Sequence, residues 1–235
     1  MMYRYLFLLL LVSNSMLGFS QISQPHLQPL QYVDNNFGNA LNFDGVNTYG
    51  IGQVYPRDSI VNFTLEFWIK NTGTDGTNDR IYGSYLNNAL QIGKNATGLK
   101  ILATDLGYSA GWQAPCTLDS NRWVHIAVVR SLSTLTVYKN ALSVGTYTVS
   151  SSLNLPTLFR LGSNIDGAGE NGNFTIDEFR LWKNARSRSQ IQQYMYTTVD
   201  PNVNANLILY YRFDQGQAGE SNGPELGLYN SATSF

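Results

Sequence analysis

Phe174-Thr175-Ile176-Asp177-Glu178-Phe179-Arg180-Leu181-Trp182 decides how this chain folds. Phe174 and Ile176 set one alternating phase, and Phe179 and Leu181 set the other, so the period of two slips by one residue at Asp177-Glu178. An uncorrected slip would turn every later side chain to the opposite face of its sheet, and a β-bulge absorbs it. The stretch therefore predicts a long strand with a bulge at Asp177-Glu178 and one carboxylate turned toward the loops.

Working outward, the same alternation recurs. In Thr64-Leu65-Glu66-Phe67-Trp68-Ile69-Lys70, Leu65, Phe67 and Ile69 share one face and Glu66, Trp68 and Lys70 the other, which reads as a half-buried strand. Trp68 then stands on an outer or concave face, where a loop caps it or a ligand meets it, and capping is the preferred reading. In Trp123-Val124-His125-Ile126-Ala127-Val128-Val129 both phases are largely apolar, which predicts a central strand covered on both faces, with His125 a hydrogen-bonded core residue rather than a ligand.

Short segments bounded by Gly, Asn and Asp continue over 40–43, 49–52, 63–70, 80–85, 89–93, 99–103, 123–129, 134–138, 144–149, 158–162, 174–182 and 207–213. A dozen short strands with turn signals between them predicts an all-β, two-sheet antiparallel jelly-roll sandwich. One short C-terminal helix is expected over 188–196, capped by Ser187 or Ser189, with Ile191, Tyr194 and Met195 three and four apart, packing across the sandwich edge.

Composition agrees and narrows the function classes. Fifteen Tyr, 11 Phe and 21 Gly suit pleated faces and turns. A net charge of −1 with 13% charged residues leaves no basic footprint for nucleic acid or anionic lipid. Tyr3-Arg4-Tyr5, the apolar run from Leu6 to Val12, and Gly18 and Ser20 before Gln21 read as a secretory signal peptide over 1–20. The run is too short to span a bilayer, which needs about 20 apolar residues, and nothing later in the chain is apolar enough. Cleavage near Ser20 implies a secreted or cell-surface protein, with a polar linker over 21–36 and the domain over 37–235. Cys116 is the only cysteine, so a core rather than an intramolecular disulfide must hold the domain together.

Several segments in order resemble laminin-G-like and pentraxin-like jelly-roll domains of the concanavalin A-like lectin/glucanase superfamily, as found in secreted proteins of Bacteroidetes. They are Ala40-Leu41-Asn42-Phe43-Asp44-Gly45 with Tyr49, then 63–70, Asn121-Arg122-Trp123-Val124-His125-Ile126-Ala127, Val137-Tyr138-Lys139-Asn140, Leu161-Gly162, Ile176-Asp177-Glu178-Phe179-Arg180-Leu181-Trp182 and Tyr210-Tyr211-Arg212-Phe213-Asp214. Thr48 departs from the Asp that such domains often carry before the Tyr, and the tail after Gly219 is short, with Gly227-Leu228-Tyr229-Asn230 a remnant of the closing strand.

The resemblance implies calcium, a hard cation that takes carboxylate, amide and carbonyl oxygens from loops. The matching positions are Asn78 and Asp79 before one strand, and Asn164, Ile165 (through its carbonyl) and Asp166 after Leu161-Gly162-Ser163. Asn164 stands where the usual pattern has Glu, which predicts weak binding, and ordinary turns account for the same residues equally well. Asp44 and Asp177 form a second candidate pair, though Asp44-Gly45 alone is a turn signal. Tyr82, Tyr85, Tyr108 and Trp112 are candidate sugar-stacking residues, with Trp112 either a loop anchor or a platform. Asn62, Asn95 and Asn173 satisfy the N-glycosylation pattern, and turn roles explain Asn62 and Asn173 as well.

Catalysis finds no constellation. Retaining glycosidases need carboxyls about 5 Å apart, and Asp177 and Glu178 are adjacent, with no third carboxylate two residues away. The expectation is a secreted, non-catalytic binding module for carbohydrate or a cell-surface protein, with the calcium support that the resemblance implies. The alternative is a structural or adhesion component without sugar binding, and a glycoside hydrolase is the third reading.

Overall fold

Among the residues that the computed structural model describes, 38–54, 60–73, 79–83, 89–103, 112–149, 155, 158–164, 170–215 and 229–232, thirteen strands build two antiparallel sheets. The expected signal peptide and linker lie outside them. The strands are β1 (Leu41–Asp44), β2 (Gly50–Gln53), β3 (Phe63–Asn71), β4 (Asp79–Gly83), β5 (Leu90–Lys94), β6 (Gly98–Ala103) and β7 (Gln113–Thr117). There follow β8 (Trp123–Ser131), β9 (Thr134–Lys139), β10 (Leu142–Thr148), β11 (Leu158–Leu161), β12 (Asn173–Trp182), the helix α1 (Arg188–Tyr194) and β13 (Leu207–Tyr211). The dozen expected segments are all present. β7 was not expected, because Pro115 and Cys116 interrupt any alternation in Gln113–Thr117.

The seven-stranded sheet runs β1-β12-β3-β8-β9-β10, with β13 also on β12, and the six-stranded sheet runs β2-β11-β4-β5-β6-β7. This is a jelly-roll sandwich. β3 occupies one side of β12 along its length, so β1 and β13 share the other side, with Leu41 opposite Ile176 and Phe179 opposite Tyr211. The bulge falls at the junction of those two partners: Asp177 faces Trp68 and Arg180 faces Glu66, three steps against two. Glu178 takes a φ of 52°, a left-handed conformation that some bulges use and most side chains resist.

Between the sheets, Leu65, Phe67 and Ile69 of β3 and Val124, Ile126 and Val128 of β8 meet Ile81, Ile92, Ile101 and Phe159, all at most 3% exposed. The Phe179 ring stacks on Phe67 and Phe159 at 5.9 Å and on Tyr82 and Tyr211 at 6.2 Å. Burying one such ring contributes about 1.5–3 kcal/mol. Gly52 is fixed by this core, since a Cβ there would overlap the Phe159 ring.

Three expectations need correction. β3 is covered on both faces, with Glu66 and Trp68 as buried as the core residues. The cover is α1, which packs over the face of the sheet rather than its edge: Ile191 and Met195 rest on Ala127, Val129 and Ala141. Ser187 caps the helix and, with Gln190, completes a capping box. Neither carboxylate of the bulge turns to the loops, as Asp177 and Glu178 are 0% and 1% exposed. At the tail, Asn230 bridges Tyr211, so a trace of the closing strand pairs there.

Candidate functional site

On β4, alternation sends Asp79 and Arg80 to opposite faces. Asp79 turns inward and holds the Lys94 ammonium at 3.2 Å, and both side chains are buried. Arg80 turns outward and meets the Glu170 carboxylate at 2.9 Å, while its backbone N–H donates to the Glu170 carbonyl at 2.8 Å. Asn164 donates its amide to the same carboxylate at 2.8 Å. Of the residues expected to share a calcium ion, Asn78, Ile165 and Asp166 lie outside the described residues, and the side chains of Asp79 and Asn164 are directed to opposite sides of β4. These described members do not fit a common divalent ion, because the inward carboxylate already contacts a buried ammonium.

The second candidate pair is also separated. Asp44 sits opposite Asn173, four residues along β12 from Asp177, about 13 Å at the rise of a strand. Asp44 closes its own turn: Oδ1 accepts from the N–H of Val46 at 2.8 Å and from the Thr48 hydroxyl at 2.7 Å. The Val46 bond foremost, with the Thr48 bond next, holds its carboxyl down at about 2. Of the glycosylation-pattern residues, Asn95 closes a turn by accepting from the Gly98 N–H, while Asn62 accepts from the Leu132 N–H and Asn173 from the Thr72 hydroxyl, contacts between segments distant in sequence, each at 2.8 Å.

Outward of the six-stranded sheet, polar and aromatic groups join into one ladder. The Arg160 guanidinium lies 4.2 Å from the Tyr49 ring and donates to the Asn164 carbonyl at 3.2 Å. Asn164 reaches Glu170, Glu170 reaches Arg80, and the Arg80 guanidinium lies 4.4 Å from the Trp112 ring. Trp112 lies over Gly93, where a Cβ would make an ordinary 3.4 Å contact with its ring but stand only 2.8 Å from the Asp79 carbonyl. Glu170 adopts a φ of 55°, a strained conformation at the centre of the ladder. Tyr49 is 49% exposed and Trp112 is half-buried. Two ring faces flanked by guanidinium, amide and carboxylate groups offer stacking and planar hydrogen bonding on one surface.

The sequence singled out Asn164 and Trp112 of this ladder and missed Tyr49, Arg80, Arg160 and Glu170. The outward phase of Leu158-Phe159-Arg160-Leu161 was a signal for Arg160, whereas Glu170 becomes recognisable only through its backbone and partners. Tyr85 and Tyr108 lie outside the described residues. Tyr82 is a correction: it is 1% exposed in the core, its ring tilted against Phe159 at 5.0 Å, and burial raises its hydroxyl pKa. The bulge between Arg80 and Tyr82 turns it inward.

The outer face of the seven-stranded sheet also carries charge, sealed under α1. Arg180 pairs with Glu178 and donates to the carbonyls of Tyr194 and Thr197 at 2.8 Å. Tyr210 donates to Glu178, and the Trp182 indole donates to Glu66 at 2.8 Å. Burial raises the Glu66 carboxyl pKa against the pull of Arg180. His125 is a core residue as expected, its ring edge-on to Trp68 at 5.4 Å and its backbone exchanging hydrogen bonds with Asn140. This cluster ties the helix to the sheet.

Comparison with known proteins follows the same geometry. A family model of the concanavalin A-like lectin/glucanases superfamily matches residues 45–192, more than half the chain. A candidate carbohydrate-binding protein from Bacteroides ovatus superposes with a TM-score of 0.61 at 22% identity, over 77% of this chain and 53% of that one. The binding domain of botulinum neurotoxin serotype D gives 0.53 at 16% identity, over 67% and 42%. The heptameric SAP-like pentraxin of Limulus polyphemus gives 0.50 at 16% identity, over 64% and 78%. The chain thus spans about half the length of the first two structures. No curated protein matches it in sequence.

Proposed function

The chain belongs to the concanavalin A-like lectin/glucanases superfamily, and on that premise we propose that it is a secreted, non-catalytic binding module that takes a glycan on the outer edge of its six-stranded sheet. The observation that carries this reading is the Tyr49–Arg160–Asn164–Glu170–Arg80–Trp112 ladder. Sugar recognition uses an apolar ring against the C–H face and planar polar groups against the hydroxyls, and the ladder supplies both. The description of the Bacteroides ovatus protein supports the same class. Secretion is supported by the apolar run from Leu6 to Val12 and its small-residue exit. The non-catalytic reading is supported by Glu170 being, among the described residues, the single carboxylate of the ladder, held by Arg80 and Asn164, where hydrolysis calls for two.

A protein partner at the cell surface is the second reading. Tyr49, Ile51 and Leu158 are 49%, 56% and 45% exposed, and Ile51 sits opposite Arg160 on β11. A hydrophobic rim of this kind suits a protein surface, and the neurotoxin domain is described as a binding domain.

A glycan array probed with the wild-type chain and with Trp112→Ala, both checked for equal thermal stability, separates the two. Glycan binding that disappears in Trp112→Ala supports the proposal. An array with no binding, or binding unchanged by the substitution, overturns it.

A further inference from the structure

We propose that the ammonium of Lys94 is the built-in cation of this end of the sandwich, and that it makes the fold and its binding edge independent of calcium. Lys94 closes β5 and Asp79 opens β4, and the two are direct register partners. The ammonium contacts the Asp79 carboxylate at 3.2 Å and the Gly73 carbonyl at 3.3 Å. The side chains are 0% and 6% exposed, so water does not screen the pair.

A carboxylate buried to this degree needs an opposite charge. Lys94 satisfies it within the chain. Its contact with Gly73 also ties the segment leaving β3, in one sheet, to β4 and β5 in the other. A calcium ion needs six to eight oxygens at about 2.3–2.6 Å. Here it would have to share Asp79 with a buried positive charge, and the two cations would repel at short range. Asn164 is held away from Asp79, its amide nitrogen donating to Glu170 on the other side of β4.

The pair also positions the binding edge. Asp79 precedes Arg80, and Gly93, under the Trp112 ring, precedes Lys94, so one ion pair anchors both strands beneath the Arg80–Trp112 stack. The inference stands whether the ligand of that edge is a glycan or a protein.

Thermal unfolding of the whole chain in millimolar calcium and in EGTA tests it. The wild type is expected to melt at the same temperature in both. Lys94→Met leaves Asp79 buried and unpaired and should lower Tm by roughly 10 °C, and adding Asp79→Leu to that variant should recover most of the loss. A wild-type Tm that rises with calcium or falls in EGTA overturns the proposal, as does a double variant no more stable than Lys94→Met. Should Lys94→Met fail to fold, the wild-type comparison alone decides.

Discussion

The indole Nε1 of Trp68 donates to the backbone carbonyl of Met195 at 2.8 Å, joining the outer face of β3 to the residue that ends α1. Arg180 takes the neighbouring carbonyls of Tyr194 and Thr197, so the sheet itself caps the carbonyl end of the helix and sets a positive charge there. A helix of seven residues has no stability of its own. These bonds, with Ile191 and Met195 on Ala127 and Val129, hold it down and close that face. The outer side of the six-stranded sheet is where aromatic and polar groups remain within reach of a partner.

Trp68→Ala should cost about 3–5 kcal/mol by removing a buried indole. Trp68→Phe should cost less, about 1–3 kcal/mol, by leaving the Met195 carbonyl without its donor. Urea unfolding measures both, and neither change should alter ligand affinity.

Arg180→Met should cost about 3–5 kcal/mol, because Glu178 and Glu66 would remain buried beside a vanished charge. Arg212→Ala, at a half-exposed arginine 2.7 Å from Asp214, should change stability by less than about 1 kcal/mol. Equal effects of the two substitutions in denaturant titrations would contradict the difference in burial.

Acid should destabilise the domain through His125. Burial, with Arg180 adding to it, lowers the imidazole pKa from 6.5 to about 3. Between those values the unfolded chain takes up a proton that the folded chain refuses, so stability present above 6.5 is lost as pH falls toward about 3. The loss from this group approaches about 1.4 kcal/mol per pH unit within the window. His125→Phe should lose stability less steeply over that range, as read from urea unfolding at successive pH values. Parallel wild-type and variant profiles would contradict the assignment.

Trp112→Ala and Tyr49→Ala should each weaken the ligand by about tenfold or more while leaving Tm nearly unchanged, since both rings are largely supported from outside the core. Titration calorimetry with the glycan chosen by the array measures this.

The sandwich was largely legible in the sequence because alternation and turn chemistry are local. The slip at Asp177-Glu178 located the bulge before any partner strand was known, and β12 shows it in register. What the sequence did not carry was the cover of the sheet. Glu66 and Trp68 alternate like solvent-facing residues and become buried only because α1 returns over them from more than 120 residues away. Tyr82 misled for a related reason, a bulge beside it that leaves no trace in the pattern. The ladder proposed for binding was the least legible part. It draws on β2, β4, β11 and the segments around them, and Glu170 owes its role to a left-handed backbone and to Arg80.

The four tryptophans make the location of binding directly observable. Trp68 and Trp182 lie beneath or beside α1, 5% and 1% exposed, and Trp112 lies on the Arg80 stack. In a ¹⁵N-labelled sample titrated with a glycan that the chain binds, the indole N–H resonance of Trp112 should shift with saturation while those of Trp68 and Trp182 stay in place. A bound glycan that moves the Trp68 or Trp182 resonance and leaves Trp112 unmoved would contradict binding at this edge.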